Sequence, residues 1–208
     1  MPSVQQKSKN AITLRGSAEI IAEFLDYGIN SILFQRGIYP SASFSHEQKY
    51  GLTILMSTDE KIKDFLKTVL GQAREWISNN KIQKMALVIS NAETKEVLER
   101  WDFKLQLEAE DKPNKEEISG QKELKVIQNE IREVIRQITG CVTFLPLLDC
   151  LCSFDLLMYT DTECDAPPDW ENAAPCVIDN CQELKMRSFS TSVHKLDTAV
   201  CYKIIDTI

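Results

Sequence analysis

Apolar residues recur at helical spacing in three stretches of the chain, which predict amphipathic helices at 17–36, 59–79 and 121–139. Ser17 is the expected N-cap of the first helix, and Gly37 marks its end. Ser57 and Glu60 form a capping-box pattern at the start of the second helix. Since each helix carries a continuous apolar face, all three are expected to pack on one core.

Short apolar runs between and after these helices predict strands. The runs lie at 50–56, 85–89, 97–107, 151–159, 184–190 and 195–205. A turn at 91–95 joins the second and third runs into a hairpin. Helices and strands do not alternate regularly along the chain. The order therefore predicts an α+β fold with three helices packed on an antiparallel sheet.

Two segments break this pattern. Residues 108–120 are charged and contain a proline and a glycine, which predicts a solvated loop. Residues 161–182 carry six acidic side chains, three prolines and no lysine or arginine, without any periodic spacing. A connection of this length inside a compact domain is usually functional or disordered, so this segment is the least ordinary feature of the chain.

The composition narrows the class of protein. With 208 residues, the chain is expected to form a single domain. It has 24 lysines and arginines against 31 acidic residues and a net charge of −7, so a role in coating nucleic acid is not expected. Residues 1–10 are polar and are predicted to be a flexible N-terminus rather than a secretion signal. No apolar run is long enough for a membrane helix, so no membrane association is expected.

The seven cysteines and two histidines give no recognisable catalytic or metal-binding pattern. The cysteine spacings do not match zinc sites, and the sequence has no phosphate-binding loop, nucleophile elbow or zinc-protease motif. We therefore expect free thiols, no metal, no cofactor and no enzymatic activity. A thiol enzyme that uses Cys150 or Cys152 stays a minor alternative, which fast reaction of either thiol with an electrophile would support.

Several blocks of the sequence resemble one family. They lie at 12–20, 27–33, 35–40, 49–53, 96–101, 135–139, 142–148, 152–157 and 187–189. The blocks occur in order over residues 11–204, and together they resemble the HORMA-domain family, most closely its spindle-checkpoint branch. Because so many blocks agree in order, the resemblance is specific to this family.

The resemblance implies a single HORMA domain at 11–208, with a core at about 11–160 and a mobile C-terminal β-hairpin, the safety belt, at about 161–208. In the open state of this family, the belt covers one edge of the sheet. In the closed state the belt lies on the other side of the sheet, and a partner peptide occupies the vacated strand edge beneath it. The long segment at 161–182 has a length that fits such a change of position.

The resemblance also implies three groups of site residues. The partner peptide is expected along one strand and beside one tryptophan, at Cys152, Ser153, Phe154, Asp155, Leu156, Leu157, Met158, Tyr159 and Trp76. A self-dimer and adaptor interface is expected at Gln35, Arg36, Arg136, Gln137, Thr143, Phe144 and Arg187. The polar members of this interface at the ends of predicted helices are expected to be exposed. The conformational switch is expected to involve Leu14, His194 and Tyr202.

The function implied by the resemblance is that of a spindle assembly checkpoint adaptor without enzymatic activity. The implied partners are a coiled-coil kinetochore checkpoint protein, the cell-division-cycle activator of the anaphase-promoting complex, a checkpoint-silencing HORMA-like adaptor, an AAA+ remodeller and a second copy of the chain. Trapping the activator would inhibit the anaphase-promoting complex. The implied locations are the nucleus, the kinetochore, the spindle and the cytoplasm. An adaptor of translesion synthesis or of the meiotic chromosome axis is the alternative.

Overall fold

A computed structural model describes residues 11–108, 119–161, 164, 166–168, 170–173 and 176–204. The helices are α1 (Leu14–Gln35), α2 (Glu60–Ser78) and α3 (Leu124–Cys141), with a short 3-10 turn at Ser41–Ser43. The strands are β1 (Ala11–Thr13), β2 (Phe44–Lys49), β3 (Leu52–Ser57), β4 (Ile82–Asn91), β5 (Val97–Leu107), β6 (Ser119–Gln121), β7 (Cys152–Thr160), β8 (Cys181–Lys185), β9 (Phe189–Ser190) and β10 (His194–Lys203). None of the described helices is long and apolar enough to cross a membrane.

One antiparallel sheet organises the domain. Its main strands lie in the order β7–β4–β5–β10–β8, and β9 also pairs with β10. The hairpin β4–β5 forms the centre of this sheet, with Met85 opposite Phe103 and Leu87 opposite Trp101. β1 with β6, and β2 with β3, form separate two-stranded sheets. These elements confirm the predicted α+β fold.

The core lies between the three helices and one face of this sheet. α1 is the central helix, because it contacts both α2 and α3. Its Phe24, Leu25 and Ile29 are fully buried, as are Trp101 and Phe103 on β5. The apolar faces predicted from helical spacing are therefore the faces that build the core.

The starts of two helices differ from the prediction. Thr13, not Ser17, caps α1, and its hydroxyl accepts a hydrogen bond from the Gly16 N–H at 3.1 Å. Ser17 lies inside the helix and is fully buried. Asp59, rather than Ser57, caps α2 by accepting hydrogen bonds from its first turn. Since Ser17 does not cap α1, its hydroxyl is free to contact another part of the chain.

The strands also differ from the prediction in three places. β2 is missing from the prediction because its polar and largely exposed residues show no apolar alternation. It pairs with β3 across a turn at Tyr50 and Gly51, whose φ angles of 53° and 70° fit a two-residue hairpin loop. β6 lies at the end of the segment predicted as a loop at 108–120, and it pairs with β1. The strand predicted at 184–190 is divided into β8 and β9.

Candidate protein-interaction site

The outer edge of β7 is open in the described part of the chain. On one side, β7 pairs with β4 along its whole length, from Cys152 opposite Asn91 to Thr160 opposite Ile82. On the other side, no strand among the described residues pairs with it. The residues predicted to bind a peptide at 152–159 therefore all lie on one edge strand. Its outward N–H and C=O groups are available to an added strand.

Aromatic side chains surround this edge strand. The Phe154 ring lies edge-on to the rings of Tyr39 and Phe65, with centroids 6.0 Å and 5.7 Å apart. Phe65, on α2, is 40% exposed, so the cluster is only partly covered. Toward the other end of the strand, the Lys84 ammonium lies 4.0 Å from the centroid of the Tyr159 ring. The edge thus combines an apolar patch with a cation–aromatic contact.

Residues 161–180, here called the connector, begin directly after β7. The Asp161 N–H donates to a carbonyl just before β4 at 3.1 Å, and the Gln83 amide donates to the Asp161 carboxylate at 2.7 Å. Further along, Trp170 packs edge-on against Trp76 of α2, with ring centroids 5.5 Å apart. Trp76, which is predicted to lie beside the peptide, is buried and in contact with the connector.

The end of the connector lies on the face of the sheet opposite to the helices. Arg100 of β5 donates to the Cys176 carbonyl at 2.5 Å and forms a salt bridge with Asp102 at 3.0 Å. Nearby, the Ile178 side chain is buried. The connector therefore contacts the helical layer at Trp170 and the opposite face of the sheet at Cys176.

The strands β8, β9 and β10, here called the belt hairpin (181–203), lie on the side of the sheet away from β7. β10 pairs with β5, from His194 opposite Leu107 to Tyr202 opposite Glu99. β8 forms the outer edge on this side. The hairpin β4–β5 thus separates the belt hairpin from the open edge of β7.

Buried side chains anchor the belt hairpin in the core. Phe189 is 1% exposed, and its ring lies edge-on to Phe24 of α1 with centroids 4.9 Å apart. Val193, Leu196 and Val200 are fully buried. Burying one large apolar side chain contributes about 1.5–3 kcal/mol, so these residues make the belt hairpin part of the core.

A buried polar cluster joins the belt hairpin to the first turns of α1. The Ser17 Oγ lies 2.6 Å from the Thr191 Oγ1 and 2.8 Å from the His194 Nδ1. All three residues are buried. Burial lowers the pKa of His194 to about 4, so the ring is neutral at neutral pH. His194, predicted as a switch residue, therefore links the belt hairpin to the helical layer.

Polar contacts also connect the belt hairpin to α3. The Lys122 ammonium donates to the Glu130 carboxylate at 2.7 Å and to the Ser190 carbonyl at 2.9 Å. Glu130 in turn accepts a hydrogen bond from the Ser190 N–H at 3.1 Å. The Arg187 N–H donates to the side-chain oxygen of Gln137 at 2.6 Å. Two predicted interface residues, Gln137 and Arg187, are therefore in contact within this chain.

Arg36 corrects the prediction that the polar residues at helix ends are exposed. Its side chain is buried and forms a salt bridge with Glu99 of β5 at 2.5 Å. It also donates to the Pro146 carbonyl at 2.5 Å, and the Trp101 indole donates to Glu99 at 3.1 Å. Since a buried charge requires a partner, Arg36 joins α1, β5 and the loop after α3 inside the protein. The prediction that Arg36 is exposed is therefore wrong.

The other predicted interface residues lie around α3. Phe144, just after the helix, is 75% exposed, and Arg136 and Thr143 are also exposed. Gln35 and Arg136 line a cavity of about 310 Å³ beside β3. Gln137 and Phe144 line a second cavity of about 310 Å³ beside β8. The structure thus brings these residues together on two sides of one helix end.

Leu14 and Tyr202, the remaining predicted switch residues, lie on different elements of the fold. Leu14 is the first residue of α1 and directly follows β1. Tyr202 lies near the end of β10, and its hydroxyl donates to the Gln182 side chain of β8 at 2.9 Å. Leu14 therefore lies beside the N-terminal strand, whereas Tyr202 belongs to the belt hairpin itself.

Some contacts of the C-terminal segment have no recognisable signal in the sequence. They are made by Ser17, Arg100, Lys122, Glu130 and Thr191. A single polar residue in a helix or strand resembles an ordinary surface residue, and its partner lies far along the chain, 174 residues away for Ser17 and Thr191. No cluster of three or more residues able to hold a metal ion occurs in the described part of the chain.

Comparison with known proteins first gives the class of this protein. Residues 17–198 match the HORMA domain, and the chain therefore belongs to the HORMA-domain family. The Mus musculus relative named mitotic spindle assembly checkpoint protein MAD2A is 53% identical over 96% of this chain and 96% of its own length. The Homo sapiens protein of the same name is 51% identical over 97% of this chain and 98% of its own length. The Saccharomyces cerevisiae checkpoint component MAD2 is 36% identical over 93% of this chain and 98% of its own length. These relatives place the chain in the spindle-checkpoint branch, a class that works by protein–protein interaction in mitosis.

Solved structures agree with this class. A chain in the crystal structure of a mitotic checkpoint complex matches with a TM-score of 0.82 and 39% identity, over 91% of this chain and all of that one. The Caenorhabditis elegans protein HTP-2, bound to a HIM-3 closure motif, matches with a TM-score of 0.75 over 98% of this chain and 100% of its own. Its sequence identity is only 12%, so this second match supports the fold alone.

Proposed function

We propose that this protein is a non-enzymatic checkpoint adaptor that captures a short segment of a partner protein along β7. The observation that carries the proposal is the open outer edge of β7, with the belt hairpin on the other side of the sheet. A peptide added at this edge gains main-chain hydrogen bonds of the kind that β4 already makes with β7. The partly covered cluster at Phe154 offers contacts for an apolar side chain of the peptide.

In this proposal, the connector retains the bound peptide on β7. It is anchored on the helical layer at Trp170 and on the opposite face of the sheet at Cys176, so it can enclose a peptide on β7. An enclosed peptide leaves only after the connector or the belt hairpin opens locally. Because such opening costs free energy, the dissociation rate should be low.

We also infer a second, open arrangement of the same chain. In that arrangement the belt hairpin leaves β5 and occupies the edge of β7, which excludes the peptide. The two packings exchange one strand edge for another and keep the central hairpin β4–β5, as in known fold switches. Leu14, His194 and Tyr202 are proposed switch residues because they lie next to β1 or within the belt hairpin.

Removing residues 199–208 tests the retention step. The truncated chain lacks the end of β10, and we expect a nine-residue segment of the cell-division-cycle activator, the length of β7, to dissociate at least about tenfold faster in surface plasmon resonance. Lys185→Ala, an exposed change on β8, is the matched control and should leave dissociation unchanged. Unchanged dissociation from a truncated chain that circular dichroism shows to be folded would contradict the proposal.

We propose that the exposed residues around α3 form an interface with a second copy or with a related adaptor. Phe144→Ala and Arg136→Ala remove exposed side chains, so the stability of each variant should be unchanged. In gel filtration, each variant should elute as a monomer. Leu147→Ala, at a nearby residue that is 81% exposed, should remain as self-associated as the wild type. Arg36→Ala is not an equivalent test, because it leaves Glu99 buried without its partner.

The proposed partners are the coiled-coil kinetochore protein, the cell-division-cycle activator, the checkpoint-silencing adaptor and its AAA+ remodeller. Binding the activator would withhold it from the anaphase-promoting complex. The proposed locations are the nucleus, kinetochore, spindle and cytoplasm. Affinity capture and fluorescence imaging in mitotically arrested cells test both proposals. Recovery of translesion-synthesis or meiotic-axis proteins in place of these partners would support the alternative adaptor.

A further inference from the structure

Two cysteines at the start of β7 form a close pair of thiols. The Sγ of Cys150 lies 3.8 Å from the Sγ of Cys152, and both side chains are half-buried. All seven cysteines lie in the described part of the chain, and all are free. Peptide capture along β7 uses main-chain groups, so it gives these two thiols no role.

The backbone keeps both thiols on one side of Leu151. Cys150 lies in a bend before β7, Cys152 is the first residue of the strand, and the Leu151 side chain is 79% exposed. The Leu151 carbonyl accepts a hydrogen bond from the Ala92 N–H at 2.8 Å, which fixes the bend. A disulfide requires two sulfurs about 2.0 Å apart, so closure requires side-chain rotation and a small shift at the bend, without unfolding.

We propose that Cys150 and Cys152 are a redox modification site, at which peroxide-class oxidants form a reversible disulfide. Cys150 lines a cavity of about 180 Å³ between the loop after α3 and the end of β10. Hydrogen peroxide is small enough to enter a cavity of this volume. The site lies on the proposed peptide-binding strand, but its chemistry does not depend on peptide capture.

The oxidation proceeds in two balanced steps. The Cys150 thiolate attacks one oxygen of hydrogen peroxide, the O–O bond breaks, and the leaving hydroxide takes up a proton to become water. Cys150 is then a sulfenic acid. The Cys152 sulfur attacks the Cys150 sulfur, the S–O bond breaks, and the hydroxyl leaves with the Cys152 proton as a second water. One peroxide is thus reduced to two waters, and two thiols are oxidised to one disulfide.

The surroundings of the two sulfurs set the order of these steps. Cys150 lines the cavity that admits the oxidant, whereas Cys152 does not. Cys150 is therefore the sulfur that meets the peroxide, and Cys152, next to it, is the sulfur that resolves the sulfenic acid. Burial raises the pKa of Cys152, which agrees with this order.

Other cysteines are arranged differently. Cys141 is buried, and its thiol donates to the Ile138 carbonyl at 3.1 Å. Cys201 is buried, with its sulfur 3.7 Å from an Arg100 nitrogen and 3.8 Å from a Glu183 oxygen. Among the described residues, the sulfurs of Cys150 and Cys152 are the two that approach each other within hydrogen-bonding distance. The first disulfide to form at low oxidant is therefore expected to join these two sulfurs.

Counting thiols by intact mass tests the proposal. The full-length chain is treated near neutral pH with a small molar excess of hydrogen peroxide, denatured in urea and labelled with N-ethylmaleimide. We expect the number of labels to fall from seven to five with the loss of two hydrogens, and dithiothreitol to restore all seven. A chain that keeps seven labels, or that gains oxygen without losing two hydrogens, overturns the proposal.

Single substitutions locate the bond. Cys150→Ser and Cys152→Ser should both abolish the paired loss of two labels and two hydrogens. Cys164→Ser, at a half-buried cysteine of the connector, is the matched control and should still lose two labels, from six to four. If either Cys150→Ser or Cys152→Ser still loses two labels with two hydrogens, another pair forms the disulfide and the proposal is wrong.

Discussion

The two sides of the main sheet hold the C-terminal segment in different ways. On the β10 side, buried apolar and polar side chains tie the belt hairpin to α1 and α3, as Phe189 and His194 illustrate. On the β7 side, the connector is attached through one tryptophan pair at Trp170 and through main-chain and side-chain hydrogen bonds at Asp161. The edge of β7 between these attachments carries no added strand among the described residues.

This difference shows which contacts oppose the movement of the belt hairpin from one strand edge to another. Main-chain pairing is similar at any strand edge, so a hairpin can exchange one edge for another at little net cost. Buried side chains such as Phe189 and Leu196 lose their apolar contacts during such an exchange until they are buried again elsewhere. We therefore expect the barrier to moving the belt hairpin to reside in its side-chain anchors.

Phe189→Ala should weaken the β10 side most. Its fully buried ring packs on Phe24, and large-to-small changes of this kind cost about 3–5 kcal/mol in the free energy of unfolding. Urea unfolding followed by circular dichroism measures the loss. Phe65→Ala is the matched control near the β7 edge, where the ring is 40% exposed, and it should cost less than half as much. Equal losses would contradict the difference between the two sides.

His194 should make the β10 side sensitive to acid. Its pKa is about 4 in the folded protein and about 6.5 in an unfolded chain, so between these values the unfolded chain binds more protons. The free energy of unfolding should therefore fall as the pH falls from about 6.5 to about 4, by up to about 3 kcal/mol for this residue.

His194→Asn separates this effect from that of the carboxylates. Urea unfolding of both chains across this pH range gives two stability profiles, and their difference removes the contribution of all other groups. We expect the free energy of unfolding of the wild type, minus that of the variant, to be largest near neutral pH and to fall toward pH 4. Parallel profiles would show that the ring is not held neutral by burial.

Lys122→Met should loosen the contact between the belt hairpin and α3. The ammonium group is partly exposed, so we expect a loss of about 1 kcal/mol, within the range of charge-assisted hydrogen bonds reduced by solvent screening. A double-mutant cycle with Glu130→Gln isolates the pair energy from the other effects of each change. Strictly additive losses would mean that the two side chains do not act together.

Gln83→Ala should have the smallest effect, because it removes one exposed hydrogen bond to Asp161 at the start of the connector. We expect a loss of about 0.5 kcal/mol in urea unfolding. Gln182→Ala, which removes the partner of the Tyr202 hydroxyl on the other side, serves as the control for an exposed amide. A loss above about 1.5 kcal/mol for Gln83→Ala would show that the β7 side is anchored more firmly than its contacts indicate.

Elements with strong apolar periodicity could be predicted from the sequence. The three helices and the hairpin β4–β5 bury one regular face each, and the pattern of that face is visible in a single chain. β2 could not be predicted because it lies on the surface and is held by its pairing with β3. The short β6 depends on a partner more than 100 residues earlier in the chain, at β1.

The strand that carries the candidate site could be predicted from the sequence, but its place at an edge of the sheet could not. The strand at 151–159 is apolar enough to be recognised, yet the same pattern fits a central strand and an edge strand. Which edge receives the belt hairpin depends on long-range packing of residues such as Phe189. The burial of Arg36 was likewise hidden, because its partner Glu99 lies 63 residues away.

The buried pair of Arg36 and Glu99 constrains how descendants of this sequence can diverge. Losing either charge alone leaves the other buried without a counterion, which costs about 3–5 kcal/mol. Replacing both with apolar residues of similar volume is often neutral or stabilising. Single substitutions at these two positions should therefore be rare, whereas paired changes should be tolerated. Among related sequences, positions 36 and 99 are expected to co-vary.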